Sequence, residues 1–330
     1  MKKKIIAYER VEESVLQALQ KEYEVRHFKS IDPKNDPDFL SFLWEAEGVI
    51  GTRFPAEHDL LEKAPNLKII SNVSVGYNNL DIPELTKRNI MATNTPGVLD
   101  DTVADLAMGL ILCTARRLPE LDQYVRSGQW TETLPRDYFG VDVHHKKLGI
   151  IGMGRIGQAI AQRAHFGFSM EILYHSRTPK PEAEERFDAV YLSLEDLLQQ
   201  SDFVCLITPL TPQTEGMIGR KEFQLMKPSA IFINVSRGST VVESELIEAL
   251  QNKEIAAAGL DVFIKEPVDP DHALLKMKNV VTLPHIGSST FETELKMAEL
   301  AAVNLKAGLN GQKPKNLIDP SVWEAIGESF

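Results

Sequence analysis

The strand-like run Lys147-Leu148-Gly149-Ile150-Ile151, followed at once by Gly152-Met153-Gly154-Arg155-Ile156-Gly157, constrains this chain more than any other feature. Three glycines in a G-x-G-x-x-G spacing can be a tight turn with no ligand. Here the glycines directly follow an apolar strand and open a helical run from Gln158 to Ala164, the context in which they let the backbone approach a pyrophosphate seated on a helix N-terminus. Gly152, Gly154, Arg155, Ile156 and Gly157 are therefore the expected phosphate-side contacts of a dinucleotide. The surrounding fold should be an open, mostly parallel α/β sheet.

What precedes and follows this motif sets the organisation. Apolar runs at Ile5–Tyr8, Tyr23–Phe28, Gly48–Gly51, Leu67–Val73 and Ile90–Ala92 alternate with helical spacing such as Glu13–Glu22, which implies parallel βαβ units. Asp101-Thr102 offers N-caps for a long apolar helix over Val103–Arg116. A second series of strands is expected at Lys147–Ile151, Met170–Tyr174, Phe203–Ile207, Ala230–Val235, Ala257–Val262 and Val280–Leu283. Most are continuous apolar runs, as in a parallel sheet covered on both faces. Thr290–Leu309 reads as one helix, followed by a tail rich in Pro, Lys and Asn. A complete small α/β unit thus stands before the glycine motif, and the last helix has no strand of its own. The expectation is a discontinuous first domain, residues 1–99 plus 289–330, around an inserted dinucleotide domain, residues 100–288.

A length of 330 residues suits two such domains, each with its own core. The net charge of -11 repels phosphate backbones and argues against nucleic-acid binding. Cys113 and Cys205 lie in apolar runs and read as reduced core residues. Met1-Lys2-Lys3-Lys4 resembles the start of a signal peptide, but Glu9, Arg10, Glu12 and Glu13 interrupt any apolar segment after it. No stretch reaches the roughly eighteen apolar residues of a membrane helix. A cytoplasmic protein is expected.

The end of the second strand of the dinucleotide domain bears on the cofactor. A carboxylate there accepts hydrogen bonds from ribose hydroxyls when the 2′-phosphate is absent. This chain has Tyr174-His175-Ser176-Arg177-Thr178-Pro179-Lys180. Ser176, Arg177 and Thr178 offer donors and a fixed positive charge, and Arg can take a phosphate in a fork geometry. NADP(H) is the expected cofactor, with NAD(H) the alternative and a solvated loop Arg the bland reading.

Three further residues stand after strands. Arg237 follows Ile231–Ser236, Glu266 lies in Phe263-Ile264-Lys265-Glu266-Pro267, and His285 ends Val280–Pro284. Reduction of a 2-keto acid needs a hydride at the carbonyl carbon and a proton at its oxygen. A His is a natural proton donor near neutrality, and a carboxylate on its other ring nitrogen fixes the tautomer and favours the charged form. An Arg can grip a substrate carboxylate and polarise the carbonyl. Each alone has an ordinary role as cap, loop charge or surface ion pair; together, after three strands of one dinucleotide fold, those ordinary readings lose weight.

With Leu148–Gly157, Ile233–Gly238, Gly259–Phe263, Glu266-Pro267 and Leu283–Gly287 in view, the sequence resembles the D-isomer-specific 2-hydroxyacid dehydrogenases over nearly its whole length. The resemblance implies two Rossmann-like domains with doubly wound parallel sheets and an active site in the interdomain cleft. It implies Arg237, Glu266 and His285 as the catalytic set, with Arg237 and His285 also touching substrate. Asp261 would contact the nicotinamide carboxamide; Thr208, Pro209 and Thr214 would line the adenosine side, and Thr102 and Ser236 complete the cofactor contacts. Val75 and Gly76 would hold the substrate carboxylate through backbone N–H groups, with Arg53 facing the same space. Trp130 and Val141-Asp142-Val143-His144-His145-Lys146 look closest to bacterial glyoxylate/hydroxypyruvate reductases and 2-ketogluconate (gluconate 2-dehydrogenase) enzymes. His144 and His145, expected on opposite sides of an extended segment, make a poor metal pair, and no metal is expected. The resemblance also implies a homodimer through the Thr102–Arg117 helix and the Leu118–Tyr138 arm.

Among relatives, longer phosphoglycerate dehydrogenases are expected to carry a regulatory domain after the catalytic one, and formate dehydrogenases of this fold a Gln at the position of Glu266. A rival of another class is a nucleotide-sensing corepressor module on the same fold, disfavoured by the lack of an interaction tail or basic surface. An L-specific lactate or malate dehydrogenase fails on order, since its glycine motif lies near the N-terminus. Which keto acid is reduced is left open at this level.

Overall fold

The computed structural model describes residues 2–30 and 35–327, which divide into two compact units, Met1–Leu99 with Ser289–Phe330, and Asp100–Ser288. The first unit opens as a regular alternation: β1 (Lys4–Tyr8), α1 (Glu13–Glu22), β2 (Glu24–Phe28), α2 (Pro37–Glu45), β3 (Gly48–Gly51), α3 (His58–Leu61), β4 (Ile69–Asn72), α4 (Ile82–Lys87) and β5 (Met91–Thr93). Its five strands are all parallel in the order β2-β1-β3-β4-β5, a flavodoxin-like winding. The helices are held by local chemistry. Asp36 caps α2 by accepting from the Asp38 and Phe39 amides, and α1 buries the Val15, Leu16 and Leu19 stripe its spacing predicts.

The second unit runs α5 (Asp100–Ala115), α6 (Leu118–Arg126), β6 (Lys147–Ile151), α7 (Arg155–Phe168), β7 (Glu171–His175), α8 (Pro181–Phe187), β8 (Val190–Tyr191), α9 (Leu194–Gln200), β9 (Phe203–Leu206), α10 (Arg220–Leu225), β10 (Ile231–Asn234), α11 (Glu243–Gln251), β11 (Ala257–Leu260) and β12 (Val280–Thr282). Its seven strands, also all parallel, are ordered β12-β11-β10-β9-β6-β7-β8. The winding reverses between β6 and β9, so the glycine motif after β6 stands at the switch point where such sheets take ligands. One face of the sheet packs Leu148, Ile150, Cys205 and Ile233 against α5 and α7; the other packs Val204, Leu206, Phe232 and Leu260 under α9, α10 and α11. Burial on both faces explains why these strands read as unbroken apolar runs.

The chain then returns to the first unit through α12 (Phe291–Leu309) and α13 (Ser321–Gly327). Thr290 caps α12 by accepting from the Thr293 amide, and α12 lies against β3, β4 and β5. The helix that lacked a strand of its own is thus the cover of the first sheet.

The structure corrects several expectations. Asp101 and Thr102 are inside the first turn of α5, which begins at Asp100, so they act as N-terminal charge and helix rather than cap. The Pro, Lys and Asn-rich tail carries its own structure: Leu317 bridges to Thr93, and α13 follows. The edge strand β8 and the short helices α8 to α11 carried too few residues for a periodic signal. His144 and His145 lie in a turn, His145 at φ 59°, with ring centroids 5.1 Å apart and edge to face; they do not point to opposite sides. Both cysteines are free thiols, Cys205 buried on β9 and Cys113 half-buried on α5. Among the described residues, no helix is long and apolar enough to cross a membrane, and no group of three or more His, Cys, Asp or Glu could hold a metal ion.

Candidate active site

Because every strand of the second sheet is parallel, the loops after β6, β7, β9, β10, β11 and β12 share one edge. The glycine loop is built for close approach. Gly152 has φ 112°, and a Cβ there would stand 2.6 Å from the Ile207 carbonyl oxygen; a Cβ on Gly157 would collide with the Gly152 carbonyl. Around Gly154, the N-cap of the 14-residue helix α7, a Cβ would meet nothing, and no side chain caps that helix. No side chain takes the first amides of α7 and nothing crowds Gly154, so the residues present fit the pyrophosphate of a dinucleotide. Arg155 reaches back from the same turn to Asp100 at 3.3 Å, and Ile156 packs inward on the core.

After β7, Ser176 and Arg177 begin a short exposed loop. The Ser176 hydroxyl donates to the Thr178 carbonyl at 2.7 Å, so it braces the loop. Arg177 projects into solvent and forms no ion pair among the described residues. After β9, Thr214 Oγ1 donates to the Pro209 carbonyl at 2.6 Å and accepts from the Thr211 amide at 2.8 Å, while Thr208 Oγ1 faces the Met217 sulfur. These threonines shape their loop from within.

The trio after β10, β11 and β12 is brought together as follows. Glu266 Oε2 lies 2.6 Å from Nδ1 of His285, and Glu266 Oε1 accepts from the Phe263 amide at 3.0 Å. Burial raises the Glu266 carboxyl, but its bond to His285, the Phe263 amide and the Arg237 charge together hold it below the usual carboxylate range. Arg237 is withdrawn into the protein, and burial lowers its guanidinium against the pull of Glu266. Its Nη1 donates to the Ser236 carbonyl at 2.6 Å.

Supporting residues that the sequence did not single out explain this placement. Asn234 Nδ2 and Thr240 Oγ1 both donate to the Arg237 carbonyl, at 3.1 and 2.6 Å. The hydroxyl of Ser236, a residue expected at the cofactor, donates to Asn234 Oδ1 at 2.8 Å in a buried cluster with Thr240. A Cβ on Gly238 would overlap the Phe263 backbone, so only glycine lets the Arg237 loop lie against the Glu266 loop. Asp261 is buried, and its two oxygens accept from the Ile286 and Gly287 amides at 2.8 and 2.9 Å. Its carboxyl is raised by burial, a push the two amides oppose. Asp261 thereby pins the turn in which His285 adopts φ 55°.

In the first unit, Val75 and Gly76 occupy a turn whose carbonyls are engaged: Asn94 Nδ2 donates to Val75 O and Asn72 Nδ2 to Gly76 O, each at 2.8 Å. Arg53 follows β3 at φ 55° and is exposed. Thr102 lies on the first turn of α5.

Residues 108–287 match the family model for the D-isomer specific 2-hydroxyacid dehydrogenase, NAD binding domain. The chain belongs to the D-isomer-specific 2-hydroxyacid dehydrogenase family. It is an oxidoreductase with an NAD(P)-binding domain. It is 50% identical over 322 residues to a glyoxylate/hydroxypyruvate reductase B of Shigella boydii, covering 98% of this chain and 99% of that one. A solved NADPH-dependent glyoxylate/hydroxypyruvate reductase of Sinorhizobium meliloti, in complex with NADP and malonate, is 33% identical with a TM-score of 0.86, over 96% of this chain and 97% of that one. A D-lactate dehydrogenase of Aquifex aeolicus, complexed with NAD and lactic acid, is 26% identical with a TM-score of 0.86, over 95% and 98%. Family members of this shape are thus found with either dinucleotide.

Proposed function

We propose that this dehydrogenase is an NADPH-linked reductase of a small 2-keto acid, glyoxylate or hydroxypyruvate first and 2-ketogluconate in the same class. The observation that carries the reading is the 2.6 Å bond between Glu266 and Nδ1 of His285 beside a withdrawn Arg237. It leaves Nε2 as the ring nitrogen free to serve a substrate oxygen. The reductase relatives support the substrate class, and the exposed charge of Arg177 with no carboxylate beside it supports NADPH over NADH.

In this mechanism a bound nicotinamide supplies the hydride, and the rest falls to the chain. Arg237 pairs with the substrate carboxylate through its planar fork and draws on the carbonyl; a guanidinium with one carboxylate neighbour gains from a second. His285 Nε2–H donates to the carbonyl oxygen as it gains negative charge. Glu266 holds Nδ1, so the ring neither flips nor loses its donor tautomer. The His285 side chain is 37% exposed, which gives it a path to recover a proton from water. Val75 and Gly76, whose carbonyls are engaged elsewhere, are proposed to offer N–H groups to the substrate carboxylate, and Arg53 a positive charge. The first unit is read as the substrate-binding domain and the second as the NAD(P) domain. A cytoplasmic homodimer assembled through α5 and the exposed arm after it completes the proposal.

The deciding experiment follows absorbance at 340 nm with glyoxylate, hydroxypyruvate and 2-ketogluconate, each with NADPH and with NADH. Rapid NADPH oxidation supports the reading. Tight dinucleotide binding without turnover on any of the three would favour a nucleotide-sensing module.

A further inference from the structure

The loop that carries Arg177 is tethered from below. Tyr174, the penultimate residue of β7, is fully buried, and its hydroxyl is used in both directions. It donates to Glu184 Oε1 on α8 at 2.6 Å and accepts from the backbone N–H of Lys180 at 2.6 Å. Lys180 is the N-cap of α8, so this one hydroxyl joins the far end of the loop and the next helix to the sheet. The near end has its own tie, since the Tyr191 hydroxyl on β8 donates to the Ser176 carbonyl at 3.2 Å. Between them Ser176 Oγ closes on Thr178 O. Gln158 of α7 donates to Glu182 at 2.7 Å and fixes α8 from the side of the glycine loop. Burial, followed by the Glu184 bond, pushes the Tyr174 phenol up to about 12, so it stays a donor throughout the working pH range.

We infer that Tyr174, without touching the dinucleotide, is the positioning residue for 2′-phosphate recognition: with Glu184 it fixes the Ser176–Lys180 loop so that Arg177 is presented in one place before the ligand arrives. This inference rests on the NADPH reading above. Its physical basis is preorganisation. A charged side chain on a loose loop must order that loop on binding, and the cost is taken from affinity. The charge on Arg177 finds its counterpart in the 2′-phosphate and has none in the unphosphorylated ribose. Loosening the loop therefore weakens the phosphorylated ligand selectively, whereas a general defect in the domain weakens both.

The test is calorimetric binding to the whole protein, with adenosine 2′,5′-bisphosphate and NADP+ as probes against AMP and NAD+. Tyr174→Phe, which removes both bonds of the hydroxyl, should weaken the two 2′-phosphorylated ligands by about tenfold and shift AMP and NAD+ by less than about twofold. Glu184→Gln, which keeps an acceptor oxygen, should lie near the wild type, and Glu184→Ala should reproduce Tyr174→Phe. Should Tyr174→Phe not fold, Tyr191→Phe releases the near end of the loop from an edge strand and should show the same selectivity with smaller size. Equal weakening of both ligand classes, or none, in variants that fold would overturn the positioning role. Failure of the underlying reading looks different: wild-type protein would bind the 2′-phosphorylated probes no better than AMP and NAD+, and Arg177→Asp would leave that unchanged.

Discussion

Glu266 and His285 meet through Oε2 and Nδ1 at 2.6 Å although 19 residues separate them, because they follow adjacent parallel strands whose loops share one edge. If His285 is the proton donor, His285→Ala should cut turnover by about 10²–10⁴-fold and leave NADP+ affinity nearly intact. Glu266→Gln, which keeps an oxygen for Nδ1, should cost less in rate than His285→Ala. The Glu266 carboxyl is held below its usual range. The stability it gives is therefore present at neutrality and lost as pH falls through that lowered value, a modest effect at a side chain 28% exposed. Thermal scans from pH 6 to pH 3 should show a shallower acid loss in Glu266→Gln. A collapse of cofactor binding in His285→Ala would remove the histidine from the chemical step.

Asp261 separates two roles. In the structure its oxygens hold the Ile286 and Gly287 amides, which fixes the His285 turn; the resemblance to the family also assigns it to the nicotinamide carboxamide. Asp261→Asn turns an NH₂ toward one of the two amides and leaves a buried donor unpaired, a cost of about 1–3 kcal/mol. A fall in kcat with little change in the NADP+ dissociation constant would identify the turn as its work. Parallel losses in both would give the carboxamide contact the larger share.

The cysteines allow a check on the packing itself. Burial on β9 pushes the Cys205 thiol up to about 12, so its reactive thiolate is scarce at any ordinary pH, and it is covered as well. Native protein with a thiol-reactive dye at pH 8 should titrate no more than Cys113, and Cys205 only after denaturant is added. Two equivalents released at once from folded protein would contradict the core as described.

Much of this was legible in the sequence because two signals agreed. Continuous apolar runs such as Ile231–Val235 mark strands buried on both faces, and the glycines at 152, 154 and 157 mark a turn that a Cβ would spoil. Arg237, Glu266 and His285 were visible because each stands just after such a run. The residues that orient them were not. Asn234, Thr240 and the Phe263 amide each bond a residue three positions away in the same loop, and short irregular turns of this kind leave no periodic signal in a sequence. Ser236 and Asp261 also hold the protein's own backbone and side chains in place, a role their position in the sequence did not show. Tyr174 read as an apolar strand residue, and its hydroxyl matters only because α8 folds back over it.

Arg177 carries the sharpest prediction about the cofactor. It is exposed on a braced loop, with no ion pair among the described residues to neutralise it. A fork of N–H donors facing a 2′-phosphate forms charge-assisted bonds worth about 1.5–3 kcal/mol, or roughly ten- to a hundredfold in affinity. Arg177→Asp removes that attraction and adds repulsion, while offering a carboxylate to the ribose hydroxyls of NADH. KM for NADPH should rise by at least that factor, and KM for NADH should stay level or fall. Salt gives an independent reading, because an exposed charge pair is screened over about 8–10 Å at physiological ionic strength. Raising salt should weaken NADPH use by the wild type more than NADH use, and that difference should vanish in Arg177→Asp. Equal losses with both dinucleotides, or a salt response identical for the two in the wild type, would leave Arg177 an ordinary solvated side chain.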